Sequence, residues 1–175
     1  MNIDTNSPLA VETDPEIVAL RALATLKEPK NRFELDDVLD SVAELARQVT
    51  AARYAAVTIM DSNNKVEGFF VAGLDATALR KLKTPPQGHG PLGTLRQDGR
   101  PVNVDDLDGH PLSFGFPPKH PEMKALLGVP IWMHGEVRGT IYVTDKADVT
   151  TFGRWDEDAL LVLAKHVSAL IERYW

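Results

Sequence analysis

The chain has 175 residues, of which 43% are hydrophobic and 25% charged, and its formal net charge is −6. These values are typical of one soluble globular domain, and the acidic balance disfavours nucleic acid or an anionic membrane surface as a partner. The sequence contains no cysteine, no apolar run that could cross a bilayer and no signal-peptide pattern, so we expect a cytoplasmic protein without thiolate chemistry.

The first part of the chain predicts a tail and two helices. Residues 1–13 are polar and aperiodic and predict a flexible tail, which leaves 14–175 as a single domain. Asp14, followed by a proline, has the pattern of a helix cap with proline at the first helical position. A longer amphipathic helix is predicted from Leu35 to Thr50, because its apolar residues recur at helical spacing. Both helices need an apolar surface on which to pack.

Two predicted hairpins supply that surface. The first pairs Tyr54–Met60 with Val66–Ala72, and the second pairs Leu126–Met133 with Glu136–Thr144. Between them the sequence predicts two short helical pieces and an edge strand over Pro101–Val104. A last helix, from about Asp156 to Tyr174, carries a wide apolar face. This order of elements predicts an α+β domain built on an antiparallel sheet.

The last predicted strand alternates in character, so its two faces differ. One face is aliphatic and suits packing against helices: Val137, Gly139, Ile141 and Val143. The other face is mixed and suits a site with a few polar groups: Arg138, Thr140, Tyr142 and Thr144.

The stretch Ser113–Met123 is the strongest candidate for a binding loop. It places His120 between prolines, which restrict the backbone and set the direction of the imidazole in advance, as a metal ligand requires. Phe114, Phe116 and Met123 surround it with apolar surface that suits a flat hydrophobic cofactor. The alternative is that His120 is an ordinary surface or packed histidine.

Other patterns are less specific. His89 lies between two glycines, which could bring the backbone close to a ligand or form a simple turn. No two histidines are spaced for a helical metal site. The acidic run Asp105-Asp106-Leu107-Asp108 lacks the spacing of a calcium loop. The sequence has no phosphate-binding loop and no Gly-x-Ser-x-Gly motif, so a hydrolase is not indicated.

The order of elements resembles a GAF domain, a small-molecule sensing fold with an antiparallel sheet of about six strands. In that fold the N- and C-terminal helices cover one face, and a ligand pocket with irregular loops occupies the other. Several motifs resemble the first GAF domain of the mycobacterial DevS/DosT-type sensor histidine kinases: Gly88-His89-Gly90-Pro91-Leu92-Gly93, Gly115-Phe116-Pro117-Pro118-Lys119-His120-Pro121, Leu127-Gly128-Val129-Pro130-Ile131 and Tyr142-Val143-Thr144-Asp145-Lys146.

The resemblance implies a b-type haem that reports oxygen, nitric oxide, carbon monoxide or redox state. It implies that His120 is the proximal iron ligand and that Tyr142 is the distal tyrosine on the last strand. With the loop residues above, the expected cofactor-binding set is His120, Tyr142, Phe114, Phe116, Met123 and His89, and the expected metal ligand is His120.

The sequence therefore predicts a stand-alone haem-b GAF sensor that signals through a protein partner or through a homodimer of its terminal helices. The sensor kinases continue into a transmitter that this chain lacks, so kinase activity is not expected. Two alternatives stay open: a haem-free GAF module for ligand binding or dimerisation, and a haem GAF protein that turns over nitric oxide, nitrite or peroxide. The GAF-type methionine sulfoxide reductases are excluded because their chemistry needs cysteine.

Overall fold

The computed structural model describes residues 14–81, 90–107, 123–147 and 151–175. The elements in chain order are α1 (Pro15–Leu23), α2 (Arg32–Val49), β1 (Ala52–Met60), β2 (Val66–Ala72), α3 (Ala76–Lys81), α4 (Pro91–Asp98), β3 (Val102–Val104), β4 (Leu126–Met133), β5 (Glu136–Lys146) and α5 (Arg154–Tyr174). The predicted α+β class is confirmed, with five strands in the described residues where about six were expected. The predicted tail, residues 1–13, lies outside them.

The strands form one sheet in the order β2-β1-β5-β4-β3, and every neighbouring pair is antiparallel. Both predicted hairpins are present, as β1–β2 and β4–β5. The turn of the second hairpin consists of His134 and Gly135, whose φ angles of 52° and 82° are both positive. Such turns match the twist of the strands that they join. The last strand, β5, therefore lies in the middle of the sheet, between β1 and β4.

Three helices, α1, α2 and α5, cover one face of the sheet. Their apolar stripes meet the inward side chains of the strands in one large cluster of buried residues, which includes Leu35, Leu39, Ile141, Val143 and Leu163. The aliphatic side of β5 thus faces the helices, as its alternation predicts. Each fully buried leucine or isoleucine contributes about 1.5–3 kcal/mol through burial alone, so this cluster is the main source of stability.

The helix starts follow from capping residues. The carboxylate of Asp14 accepts a hydrogen bond from the Glu16 backbone N–H at 2.9 Å, which confirms the predicted cap of α1. The prediction that the second helix begins near Leu35 was wrong by one turn: α2 begins at Arg32. Asn31 caps it by accepting hydrogen bonds from two backbone N–H groups, each at 3.0 Å. An asparagine in this position satisfies donors that the helix itself cannot satisfy.

In the part of the chain that the structure describes, no helix combines the length and the apolar character needed to cross a membrane.

Candidate ligand-binding site

The face of the sheet opposite α1, α2 and α5 carries a second, smaller cluster of buried residues. We call it the tyrosine cluster, and its members are Ala56, Leu92, Leu107, Met123, Leu126 and Tyr142. Partly buried apolar residues of β1, β2 and β3 surround it: Tyr54, Phe69, Val71 and Val104. The mixed side of β5 therefore faces a distinct apolar environment, separate from the helical core.

Tyr142 occupies the middle of this face. It lies on the central strand, directly opposite Ala56 of β1 and Gly128 of β4, so both of its cross-strand neighbours are small. Its side chain is 5% exposed, and burial raises the pKa of its phenol well above the ordinary value. Tyr142 is therefore a neutral hydrogen-bond donor at physiological pH. No hydrogen bond joins its hydroxyl to another residue that the structure describes.

Helix α4 reaches the same face because Gly128 has no side chain. A Cβ atom at Gly128 would lie 3.1 Å from Leu95 Cδ1 and 3.4 Å from Leu92 Cδ2. The absence of a side chain thus lets α4 pack against the sheet beside Tyr142. The helix begins at Pro91, after Gly90 with its positive φ of 60°, and His89 directly precedes Gly90 in the sequence.

Asp145 holds the backbone at the edge of the tyrosine cluster through hydrogen bonds. It has a positive φ of 56°, a conformation in which aspartate and asparagine are enriched. Its carboxylate accepts hydrogen bonds from the backbone N–H groups of Lys124 at 2.7 Å and Ala125 at 3.0 Å. In turn, the Leu107 N–H donates to the Lys124 carbonyl at 2.7 Å. These hydrogen bonds connect Leu107, which precedes residues 108–122, with Lys124 and Asp145, next to Met123. We call this arrangement the Asp145 clamp.

A second polar residue, Thr144, lies on the same face as Tyr142. Its side chain is completely buried, and its Oγ1 atom has no hydrogen-bond partner among the residues that the structure describes. Thr58 and Thr140, each 6% exposed, extend the row of hydroxyl-bearing residues across β1 and β5. The tyrosine face thus combines an apolar surface with a few buried hydroxyl groups, an arrangement typical of a small-molecule site.

Two arginines lie at the far end of this face, around Met60. The guanidinium of Arg96, on α4, contacts Met60 Sδ at 3.2 Å, and burial lowers the pKa of Arg96. The Nε of Arg138 donates to the Met60 carbonyl at 2.9 Å. These contacts anchor one end of α4 to the sheet and place positive charge near one end of the tyrosine face.

A shallow groove of about 330 Å³ lies on the opposite side of the molecule, between α5 and the chain that follows α1. His166 and Arg173 of α5 line it together with Glu28, and Arg173 pairs with Glu28 at 2.7 Å. Burial lowers the pKa of His166, while the nearby Glu28 carboxylate opposes that effect. The groove is distant from the tyrosine cluster, because α5 packs on the other face of the sheet.

Two of the predicted site residues, Tyr142 and Met123, lie together in the tyrosine cluster. The other four, His120, Phe114, Phe116 and His89, lie outside the described residues. Sequence reasoning missed the role of Asp145, whose only signal was its place in the Tyr-x-Thr-Asp-Lys motif. Among the described residues, no three histidine, aspartate or glutamate side chains are grouped to hold a metal ion.

Comparison with known proteins agrees with this architecture. The family model of the GAF domain matches residues 34–171. The chain is similar to the GAF domain of a phosphoenolpyruvate-protein phosphotransferase from Coxiella burnetii, with a TM-score of 0.72 and 21% identity over 92% of this chain and 95% of that one. The corresponding GAF domain from Acinetobacter gives a TM-score of 0.67 and 19% identity over 95% and 94% of the two chains.

A third similar structure is the free methionine-R-sulfoxide reductase from Neisseria meningitidis in complex with its substrate. Its TM-score is 0.66 and its identity is 16%, over 98% of this chain and 95% of that one. At these identities the structural likeness establishes the fold, and function has to be argued from the residues of this chain.

Proposed function

The chain belongs to the GAF domain family, a family of small-molecule and signal-sensing modules, and from this premise we propose that it binds haem b and senses a diatomic gas or redox state. The proposal combines the resemblance to the DevS/DosT-type domains with the tyrosine face. The observation that carries it is Tyr142: a buried phenol, neutral at physiological pH, centred on the face that the terminal helices leave uncovered.

The residues of this face fit such a cofactor. A haem needs an extended apolar surface, an axial ligand and a small number of polar groups. The tyrosine cluster offers the apolar surface, and the hydroxyls of Tyr142 and Thr144 are the polar groups. Among the described residues of this face, no side chain offers the nitrogen atom that an axial ligand needs. His120 would supply it, from the segment whose two ends the Asp145 clamp ties beside Met123.

Each proposed residue then has a definite task. His120 would bind the iron through its neutral imidazole, and Phe114, Phe116 and Met123 would exclude water from the cofactor. When bound, haem would supply an iron atom that can bind a diatomic gas. Tyr142 would donate a hydrogen bond to such a gas, which would favour ligands with a polar outer atom. His89, which directly precedes Gly90 in the sequence, would be a further contact of the cofactor.

Signal output through a homodimer of the terminal helices is part of the proposal. Helices α1 and α5 pack side by side, and Ile17 and Leu20 of α1 are 40% and 51% exposed. Leu161 and Val162 of α5 line a surface together with the start of α1, and a twofold contact would pack these two helices against their copies. We expect Leu20→Glu to shift the protein from dimer to monomer in sedimentation velocity; an unchanged sedimentation coefficient would argue for output through a different protein in the cytoplasm.

Absorption spectroscopy tests the cofactor. We expect the purified protein, supplied with hemin, to show a Soret band that shifts on reduction with dithionite and again on addition of carbon monoxide or nitric oxide. A haem-free GAF module would give no protein-bound Soret band. Steady consumption of nitric oxide, nitrite or peroxide in the presence of a reductant would identify the protein as an enzyme instead of a sensor.

A further inference from the structure

We propose that Thr144 is a second polar contact of the ligand on the tyrosine face, and that its hydroxyl donates a hydrogen bond to an oxygen atom of that ligand. The inference rests on the proposed function, and it concerns a residue to which neither the family resemblance nor the structural comparisons give a role. The acceptor is an oxygen of a cofactor carboxylate or the outer oxygen of a bound diatomic gas.

The first argument is the hydroxyl itself. Thr144 is 0% exposed, and in the part of the chain that the structure describes its Oγ1 is the one fully buried side-chain oxygen or nitrogen that lacks a hydrogen-bond partner. Two other buried polar side chains show the usual situation, in which the polar atoms have partners. The hydroxyl of Thr50 donates to the Ala46 carbonyl at 2.7 Å, and the carboxylate of Asp156 accepts from Lys146 Nζ at 2.9 Å.

The second argument is that the fold does not require this hydroxyl. Valine has nearly the same shape as threonine, and it fits a central strand at least as well. A buried hydroxyl without a partner is unfavourable, and such groups in folded proteins usually have a functional reason or a partner outside the chain. Packing of β5 alone would therefore favour valine at position 144, as it does at the neighbouring Val143 on the helical face.

The third argument is position. Thr144 follows Tyr142 by two residues on the same strand, so both side chains leave the same face, about 7 Å apart along the strand. Its cross-strand partners are Tyr54 of β1 and Leu126 of β4, both in or against the tyrosine cluster. The next residue, Asp145, forms the clamp. Thr144 therefore lies on β5 between Tyr142 and Asp145, and Asp145 holds the backbone of Lys124 and Ala125.

The test uses two substitutions at this position and one control. Thr144→Val removes the hydroxyl and keeps the shape, whereas Thr144→Ser keeps the hydroxyl. Thr50→Val makes the same change at a buried threonine outside the tyrosine face, at the end of α2, where the hydroxyl donates to the Ala46 carbonyl. Without hemin, we expect Thr144→Val to raise the midpoint of thermal unfolding by about 2–4 °C, because an unsatisfied polar group is lost.

Two ligand measurements then separate the possible acceptors. If the acceptor is a carboxylate, Thr144→Val weakens hemin binding about 5- to 10-fold and leaves binding of hemin dimethyl ester unchanged. If the acceptor is the gas, hemin affinity is unchanged, and the stretching band of bound carbon monoxide shifts in the infrared spectrum. In both cases Thr144→Ser and Thr50→Val match the wild type in hemin affinity and in the carbon monoxide band.

The inference is overturned if wild-type protein binds hemin and Thr144→Val matches it in hemin affinity and in the carbon monoxide band. A wild-type protein that does not bind hemin at all overturns the proposed function and this inference together. These two failures are therefore distinguishable in one series of titrations.

Discussion

The two faces of the sheet are built from the same five strands but differ in what they bury. The helical face packs α1, α2 and α5 over a continuous aliphatic layer that includes Ile141 and Val143. The tyrosine face buries a smaller apolar cluster together with the hydroxyl groups of Tyr142 and Thr144, neither of which has a partner among the described residues.

This difference separates stability from recognition. An aliphatic layer lowers the free energy of the folded state without discriminating between ligands. Buried hydroxyl groups without partners raise that free energy and are retained where they contact something else. Successive side chains of β5 point to opposite faces of the sheet. This strand therefore carries core residues and candidate ligand contacts at consecutive positions.

The largest expected effect tests the helical face. Leu163 of α5 is fully buried, so Leu163→Ala should lower the free energy of unfolding by about 2–5 kcal/mol, measured by urea denaturation without ligand. Hemin affinity of the folded protein should stay unchanged. Leu126→Ala, at an equally buried residue of the tyrosine cluster, should reduce both stability and hemin affinity. Equal losses of hemin affinity in the two variants would show that the faces are not functionally separate.

The next effect concerns the Asp145 clamp. Asp145→Gly keeps the positive φ accessible but removes the acceptor of two backbone N–H groups, so we expect it to cost about 1.5–3 kcal/mol of unfolding free energy. It should also weaken hemin binding, because Lys124 and Leu107 are no longer held in place. Asp145→Asn, which keeps an acceptor oxygen, should lose much less. If both variants behave like the wild type, the clamp does not position the site.

A smaller effect is expected at the centre of the tyrosine face. Tyr142→Phe removes a buried hydroxyl that has no described partner, so ligand-free stability should stay within about 1 kcal/mol of the wild type. Gas dissociation from the haem-loaded protein should become about 10-fold faster, since one hydrogen bond is lost. Stopped-flow displacement measures this rate, and an unchanged rate with full haem content would remove Tyr142 from the gas pocket.

The smallest effect is a pH dependence on the helical side. Burial lowers the pKa of His166, so the fold favours the neutral imidazole. The stabilising contribution is present above the ordinary histidine pKa of about 6.5 and is lost as the pH falls below it. We expect His166→Gln to flatten the decline of the unfolding free energy as the pH falls below about 6.5. Hemin affinity should not change, because the groove lies on the opposite side; a parallel change in affinity would link the two faces.

The sequence predicts the sheet faces well because alternation along β5 is a local property. It places Ile141 with the helices and Tyr142 with the opposite face, and both positions are confirmed. The Asp14 cap is likewise a pattern of adjacent residues. The start of α2 was misjudged because the apolar periodicity begins at Leu35, one turn after the Asn31 cap.

The Asp145 clamp could not be predicted, for a physical reason. Its partners, Lys124 and Ala125, are about twenty residues away in the chain and meet Asp145 through backbone N–H groups, which carry no sequence signal. The unpaired hydroxyl of Thr144 is similar, since its environment depends on which strands flank β5. The predicted roles of His120, Phe114, Phe116 and His89 stay predictions, as do the single-domain boundaries.

Hemin titration of the wild type and of His120→Gly tests the central claim most directly. The account predicts a saturable Soret band in the wild type, a loss of that band in His120→Gly, and its partial return when free imidazole is added to occupy the place of the missing side chain. A His120→Gly protein with wild-type hemin affinity and an unshifted Soret band, indifferent to imidazole, would contradict the assignment of His120 as the iron ligand of the tyrosine face.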